Sequence, residues 1–157
     1  MSEIFINRAR AVAVTGHRVL ELDFDKRKLE YLLEKCVEKG FDTFLIGMAL
    51  GFDTICFQTL EKIKKKNGNI KIIACIPCRN QSYKFNKVQK EEYDRMIGVA
   101  DEKIYVSEEY TPSCMQKRNK FMVDNASIVI SYKRREFGGT AKTVAHAIKN
   151  QVPIIEI

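Results

Sequence analysis

Short apolar runs alternate along the chain with longer segments whose apolar positions recur every three or four residues. Strands buried on both faces read as unbroken apolar runs, and the helices that cover them carry one apolar stripe. The alternation therefore predicts a parallel sheet sandwiched between helices. Ala11–Val14 is the first run, followed by a helix over about Asp25–Lys39 with Leu29, Leu32, Leu33, Cys36 and Val37 on one face and Gly40 at its end. Thr43–Ile46 leads through a turn at Gly47–Asp53 into a helix that reaches about Lys66 and is broken by Asn67-Gly68-Asn69. Ile70–Ile76 is a strand stopped by Pro77, and the polar segment Gln81–Ile97 is helical in its later part. Lys103–Val106 is a short strand and Ser113–Asp124 a helix, after which Ser127–Tyr132, Gly139–Lys149 and Val152–Ile157 complete a strand, a helix and a strand.

About six strands and five helices with short connections describe an α/β fold, a Rossmann-like three-layer α/β/α sandwich with a mostly parallel sheet. The 157 residues show no repeat, linker or low-complexity tract, so residues 1–157 are expected to form one domain. A chain of this size removes roughly 70% of its unfolded surface from water and needs no disulfide or metal to fold.

Composition narrows the partners more than the fold. With 45% apolar and 30% charged residues the chain is not of the disordered class, and its net charge of +7 favours anionic partners. Its five cysteines, mostly inside apolar patterns, read as reduced thiols of a cytoplasmic protein. Cys75-Ile76-Pro77-Cys78 lies in a strand pattern rather than at a helix start, and no second pair has zinc spacing, so neither a redox nor a metal role is expected. The first ten residues do not read as a signal peptide, and no apolar stretch is long enough to cross a bilayer.

The candidate chemistry sits where apolar runs end. Gly138-Gly139-Thr140 follows the fifth run and opens a helix, which presents bare backbone amides at the positive end of the macrodipole. Thr15-Gly16-His17-Arg18 follows the first run, with Arg18 able to hold a phosphate bidentately. Gly47-Met48-Ala49-Leu50-Gly51-Phe52-Asp53 follows the second; its small residues let a ligand lie over the backbone, and Asp53 can cap the helix or accept from a ribose hydroxyl. One helix terminus supplies up to about 2 kcal/mol, whereas micromolar affinity needs about 8 kcal/mol, so the turns must act together. Lys133-Arg134-Arg135 borders the last of them, while Lys62, Lys64, Lys65 and Lys66 read as a solvated helix end. Tyr83, Phe85 and Tyr93 can either stack on a base or pack on the sheet.

The ordered series TGHR, GMALGFD, a strand ending in IPC with Gln81 soon after, Tyr110-Thr111-Pro112, Arg118-Asn119 and FGGT resembles the YpsA-like branch of the SLOG superfamily, from about Ala11 to Ile157. That superfamily includes the LOG phosphoribohydrolases and the DNA-processing protein A. The resemblance implies a domain that binds a nucleotide or a nucleotide-derived, ADP-ribose-like ligand, as sensor or sequestering protein, with weak hydrolase activity left open. It implies a ligand-binding set of Thr15, Gly16, His17, Arg18, Gly47, Gly51, Asp53, Pro77, Arg118, Asn119, Gly138, Gly139 and Thr140. The LOG pattern PGGxGT followed closely by Glu is replaced here by FGGTAKT, with no carboxylate before Glu156, so no catalytic residue is assigned and phosphoribohydrolase activity is not expected. The alternative is nucleic-acid binding, as in the DNA-processing branch; a homodimer is compatible with the apolar helices.

Overall fold

The computed structural model describes residues 4–157. Its six strands are β1 (Ala11–Gly16), β2 (Thr43–Ile46), β3 (Lys71–Ile76), β4 (Glu102–Tyr105), β5 (Ile128–Tyr132) and β6 (Ile154–Glu156). They alternate with α1 (Lys26–Glu38), α2 (Phe52–Lys66), α3 (Lys87–Val99), α4 (Cys114–Asp124) and α5 (Gly139–Lys149). All the strand pairs are parallel, in the order β4-β3-β2-β1-β5-β6. The order reverses direction between β1 and β5. There the crossovers depart to opposite sides and leave a crevice at the carboxyl ends of the strands.

Alternation along each strand divides the core in two. Val12, Val14, Phe44, Ile46, Ile72, Ala74, Ile76, Ile130 and Tyr132 pack with residues of α1, α2 and α3. Ala11, Ala13, Leu45, Ile73, Cys75 and Val129 pack with residues of α4 and α5. On β1 the bulky valines thus face the three-helix layer and the alanines the two-helix layer.

Local signals set the helix starts. Asp25 accepts from the Arg27 and Lys28 amides at the start of α1, and Asn86 with Gln89 forms a reciprocal capping box on α3. The helices facing the crevice are capped differently. α2 and α5 begin after Gly51 and Gly138, at φ +80° and +94°, with no side chain bonded to their first amides. β6 is shorter than its apolar pattern suggests because the Val152 amide turns back to the Ala147 carbonyl at the end of α5, with Gln151 at φ 59°. All five cysteines are buried free thiols. Among the described residues no group of three metal-ligating side chains occurs, and no helix is long and apolar enough to cross a membrane.

Candidate functional site

A cleft of about 490 Å³ opens at the carboxyl ends of β1, β2 and β5, within the size range of small-molecule sites. It is lined by Thr15 and Gly16 from the end of β1, by His17 and Arg18 just after it, by Gly47 and Ala49 from the β2–α2 turn and by Asp53 from the first turn of α2. Arg118 and Asn119 enter from α4, and Gly138, Gly139 and Thr140 from the start of α5. Segments remote in sequence are thereby brought to one place. Gly51 and Pro77, also in the expected set, do not line the cleft. Gly51 is packed beneath the backbone of His17 and Arg18, where a Cβ would strike the Arg18 carbonyl, and Pro77 is buried at the end of β3.

The three turns are tied to one another. The Phe52 amide donates to the His17 carbonyl at 3.1 Å, which seats the first turn on the start of α2. Gly16 is required there, since a Cβ would overlap the Phe52 ring. That ring stacks on Tyr132 with centroids 5.7 Å apart, and Phe24 meets both edge-on. The Tyr132 hydroxyl accepts from the Glu21 amide at 2.9 Å, and Arg134 lies over the Tyr132 ring. An aromatic cluster thus holds the β1–α1 and β5–α5 loops from below.

At the floor, Arg118 is buried because α4 packs against β3. It donates from Nε to Asn119 Oδ1 at 2.8 Å and from Nη1 to the carbonyls of Cys75, at 3.2 Å, and Gly47. Gly47 accommodates this contact, because a Cβ there would lie 2.9 Å from the guanidinium. Gln81 Nε2 donates to the same Gly47 carbonyl and its Oε1 accepts from the Tyr93 hydroxyl, so the β2–α2 turn is held from two directions. Met48, at φ 64°, sends its side chain into the three-helix core. The residues on either side, Gly47 and Ala49, line the cleft.

Asp53 is the one carboxylate of the lining and is 6% exposed. Its Oδ2 accepts from the Ala49 amide at 3.1 Å, while Oδ1 is buried without a partner. Burial pushes its carboxyl up to about 6, against the opposing pull of Arg118 and of the Ala49 bond. The same burial lowers the Arg118 guanidinium from its usual range. His17 Nε2 accepts from the Arg134 amide, and burial, then the charges of Arg135 and Arg134, lowers its pKa.

Besides Val14 and Ala49, which neighbour expected positions, the lining residues outside the expected set are Val19, Met115, Gln116, Met122, Arg135 and Phe137. Arg135 and Phe137 carry a signal in the sequence, since both adjoin the glycine pair. Met115 is three residues before Arg118, on the same helix face, which gives a weaker one. Of the aromatics with a choice between stacking and packing, Phe85 and Tyr93 pack against each other away from the cleft, and Tyr83 is exposed. Within the lysine run, Lys62 pairs with Glu30 and Lys64 with Asp101.

Comparison with known proteins agrees with this architecture. The chain is 32% identical over 137 residues to the uncharacterized SPbeta prophage-derived protein YoqJ of Bacillus subtilis (strain 168), covering 79% of this chain and 80% of that protein. It is 21% identical to UPF0398 protein YpsA of the same strain, covering 85% of this chain and 81% of the relative. DNA processing protein A from Streptococcus pneumoniae superposes with a TM-score of 0.68 at 20% identity, over 94% of this chain and 50% of that one. DNA processing protein A from Helicobacter pylori, studied for its single-stranded DNA binding mode, gives 0.67 at 19% identity over 96% of this chain and 66% of that one. The molybdenum cofactor carrier protein of Chlamydomonas reinhardtii gives 0.56 at 15% identity, over 95% of this chain and 76% of that one. This chain spans about half of the pneumococcal protein and two thirds of the H. pylori one, and these three likenesses concern the fold alone. The family model described as the YspA SLOG family matches residues 12–153, and the chain belongs to that family.

Proposed function

We propose that this chain binds a phosphate-bearing small molecule of the nucleotide or ADP-ribose class in the strand-end cleft, as a sensor or sequestering protein. The observation that carries this reading is the convergence of the Thr15–Arg18, Gly47–Asp53 and Gly138–Thr140 turns on one cleft where the strand order reverses. The first amides of α5 face no capping side chain, and Arg18 and Arg135 line the same cleft. Together they offer an anion both a helix dipole and charge-assisted hydrogen bonds. The fold neighbours support an anionic ligand in this architecture through the single-stranded DNA binding named for the H. pylori protein.

The test is thermal stabilisation by AMP, ADP-ribose and NAD in the wild type, Arg18→Ala and Gly139→Asp. Gly139 has room for a side chain, since a Cβ there would come no closer than 3.9 Å to Gln116, so Gly139→Asp should fold while placing a carboxylate where the phosphate sits. A ligand at about 100 times its dissociation constant adds about 2.7 kcal/mol, or roughly 5–10 °C for a chain of this size. Both variants are expected to lose the shift. Unchanged shifts in both would overturn the cleft assignment.

A second reading, binding of single-stranded nucleic acid along the exposed rim arginines Arg18 and Arg135, is favoured by the net charge of +7. It predicts affinity that collapses between about 50 and 200 mM salt, whereas a nucleotide held inside the cleft should respond far less.

A further inference from the structure

We propose that Asp53 and Arg118 form a hydroxyl-recognising subsite at the floor of the cleft, so that the ligand carries a sugar with free vicinal hydroxyls and its deoxy counterpart is rejected. The inference rests on the nucleotide reading above and specifies which part of the ligand reaches the floor.

Asp53 Oδ1 is a buried acceptor with no donor, and Asp53 lines the cleft. Buried polar atoms in native proteins are paired, and a carboxylate oxygen left orphaned is costly enough to require an explanation. The neighbouring Arg118 commits Nε to Asn119 and Nη1 to Gly47 and Cys75, and among the described residues no acceptor is paired with Nη2. None of these bonds reaches Asp53, although the two groups feel each other's charge.

An occupant of this floor must satisfy both groups. A phosphate oxygen suits Arg118 but is repelled by the Asp53 carboxylate, and an ammonium suits Asp53 but is repelled by Arg118. A hydroxyl does both, since its proton goes to Oδ1 and its lone pairs accept from the guanidinium. A base edge could also combine donor and acceptor, but the exposed apolar side chains that suit a base, Val19 and Phe137, stand at the rim. Phosphate at the α5 amides and base at the rim leave the sugar for the floor.

The experiment compares AMP, ribose 5-phosphate and 2′,3′-dideoxy-AMP by titration calorimetry on wild type, Asp53→Asn and Gly139→Asp. Wild type should bind AMP at least about tenfold more tightly than the dideoxy form, because the dideoxy ligand leaves buried groups unpaired. Ribose 5-phosphate should compete with AMP, and Asp53→Asn should shrink the preference to about twofold. Wild type that binds AMP and dideoxy-AMP equally, yet loses both in Gly139→Asp, overturns the subsite while sparing the phosphate cradle. AMP affinity that falls in Asp53→Asn without hydroxyl discrimination places a base edge at the floor and also overturns it. Undetectable binding of AMP and ribose 5-phosphate by wild type, or AMP binding untouched by Gly139→Asp, removes the nucleotide reading and this inference with it.

Discussion

The backbone amide of Arg134 donates to Nε2 of His17 at 2.8 Å, a bond between residues 117 positions apart that fastens the β5–α5 loop to the β1–α1 turn. An imidazole nitrogen that accepts cannot carry a proton, so His17 is neutral with its hydrogen on Nδ1.

His17 should therefore titrate below its ordinary value of about 6.5. Burial is the main cause, followed by Arg135 and Arg134, with Glu21 opposing. The unfolded chain takes up this proton first, so the contribution of His17 to stability is complete above about pH 6.5 and is lost as pH falls below it. Following the His17 ring protons by NMR checks this, and Arg135→Ala should move the midpoint upward. A midpoint above 6.5 in wild type would contradict the bond to Arg134.

Asp53 has the opposite sign. Between about pH 3.9 and 6 the native carboxyl keeps a proton that the unfolded chain has released, so its contribution to stability falls as pH rises through that window. Asp53→Asn should stabilise the free protein by about 3 kcal/mol at pH 7.5 and by less than about 1 kcal/mol at pH 4. Urea denaturation at the two pH values measures this, and a destabilised variant at pH 7.5 would refute it. Such a gain alongside weaker ligand binding is the trade expected of a functional carboxylate.

Gly51→Ala should cost about 3 kcal/mol or more, because φ +80° is strained for alanine and its Cβ would meet the Arg18 carbonyl. A fall in Tm of roughly 6–12 °C is expected. Gly139→Ala, whose Cβ would make only an ordinary contact 3.9 Å from Gln116, should change Tm by far less. Equal Tm values for the two variants would mean that the β2–α2 turn is not seated under Arg18.

Away from the cleft, Arg95 bridges Glu92 on its own helix and Glu61 on α2. The Arg95 bond, and then that from Gln58, hold the Glu92 carboxyl down at about 2. Its stabilisation is present above about pH 4.3 and is lost as pH falls toward 2. Because the pair is partly exposed, Glu92→Gln should cost only about 1 kcal/mol near neutrality and less than half of that at pH 2, as read from denaturation midpoints.

The layer architecture was legible because β1, β2, β3 and β5 are unbroken apolar runs and the helices carry apolar stripes. The glycine turns were legible because each follows such a run. Side-chain direction within a turn was not. Gly51 and Gly47 look equivalent in the sequence, but with Met48 at φ 64° and Gly51 at φ +80° between strand and helix, Gly47 lines the cleft and Gly51 lies under Arg18. The unpaired oxygen of Asp53 was equally hidden. Its burial depends on neighbours that meet only in the folded chain, and Asp53 lies far in sequence from the glycine pair beside which the LOG pattern places its carboxylate.

The aromatic cluster of Phe24, Phe52 and Tyr132 supports the turns from beneath, whereas Val19, Arg135 and Phe137 crown the opening with side chains mostly in solvent. Keeping the turns in place and bordering the mouth of the cleft thus fall to different residues. Exchanges at these exposed positions should therefore carry little penalty to folding, so the mouth of the cleft can change its chemistry while the turns beneath it keep their places.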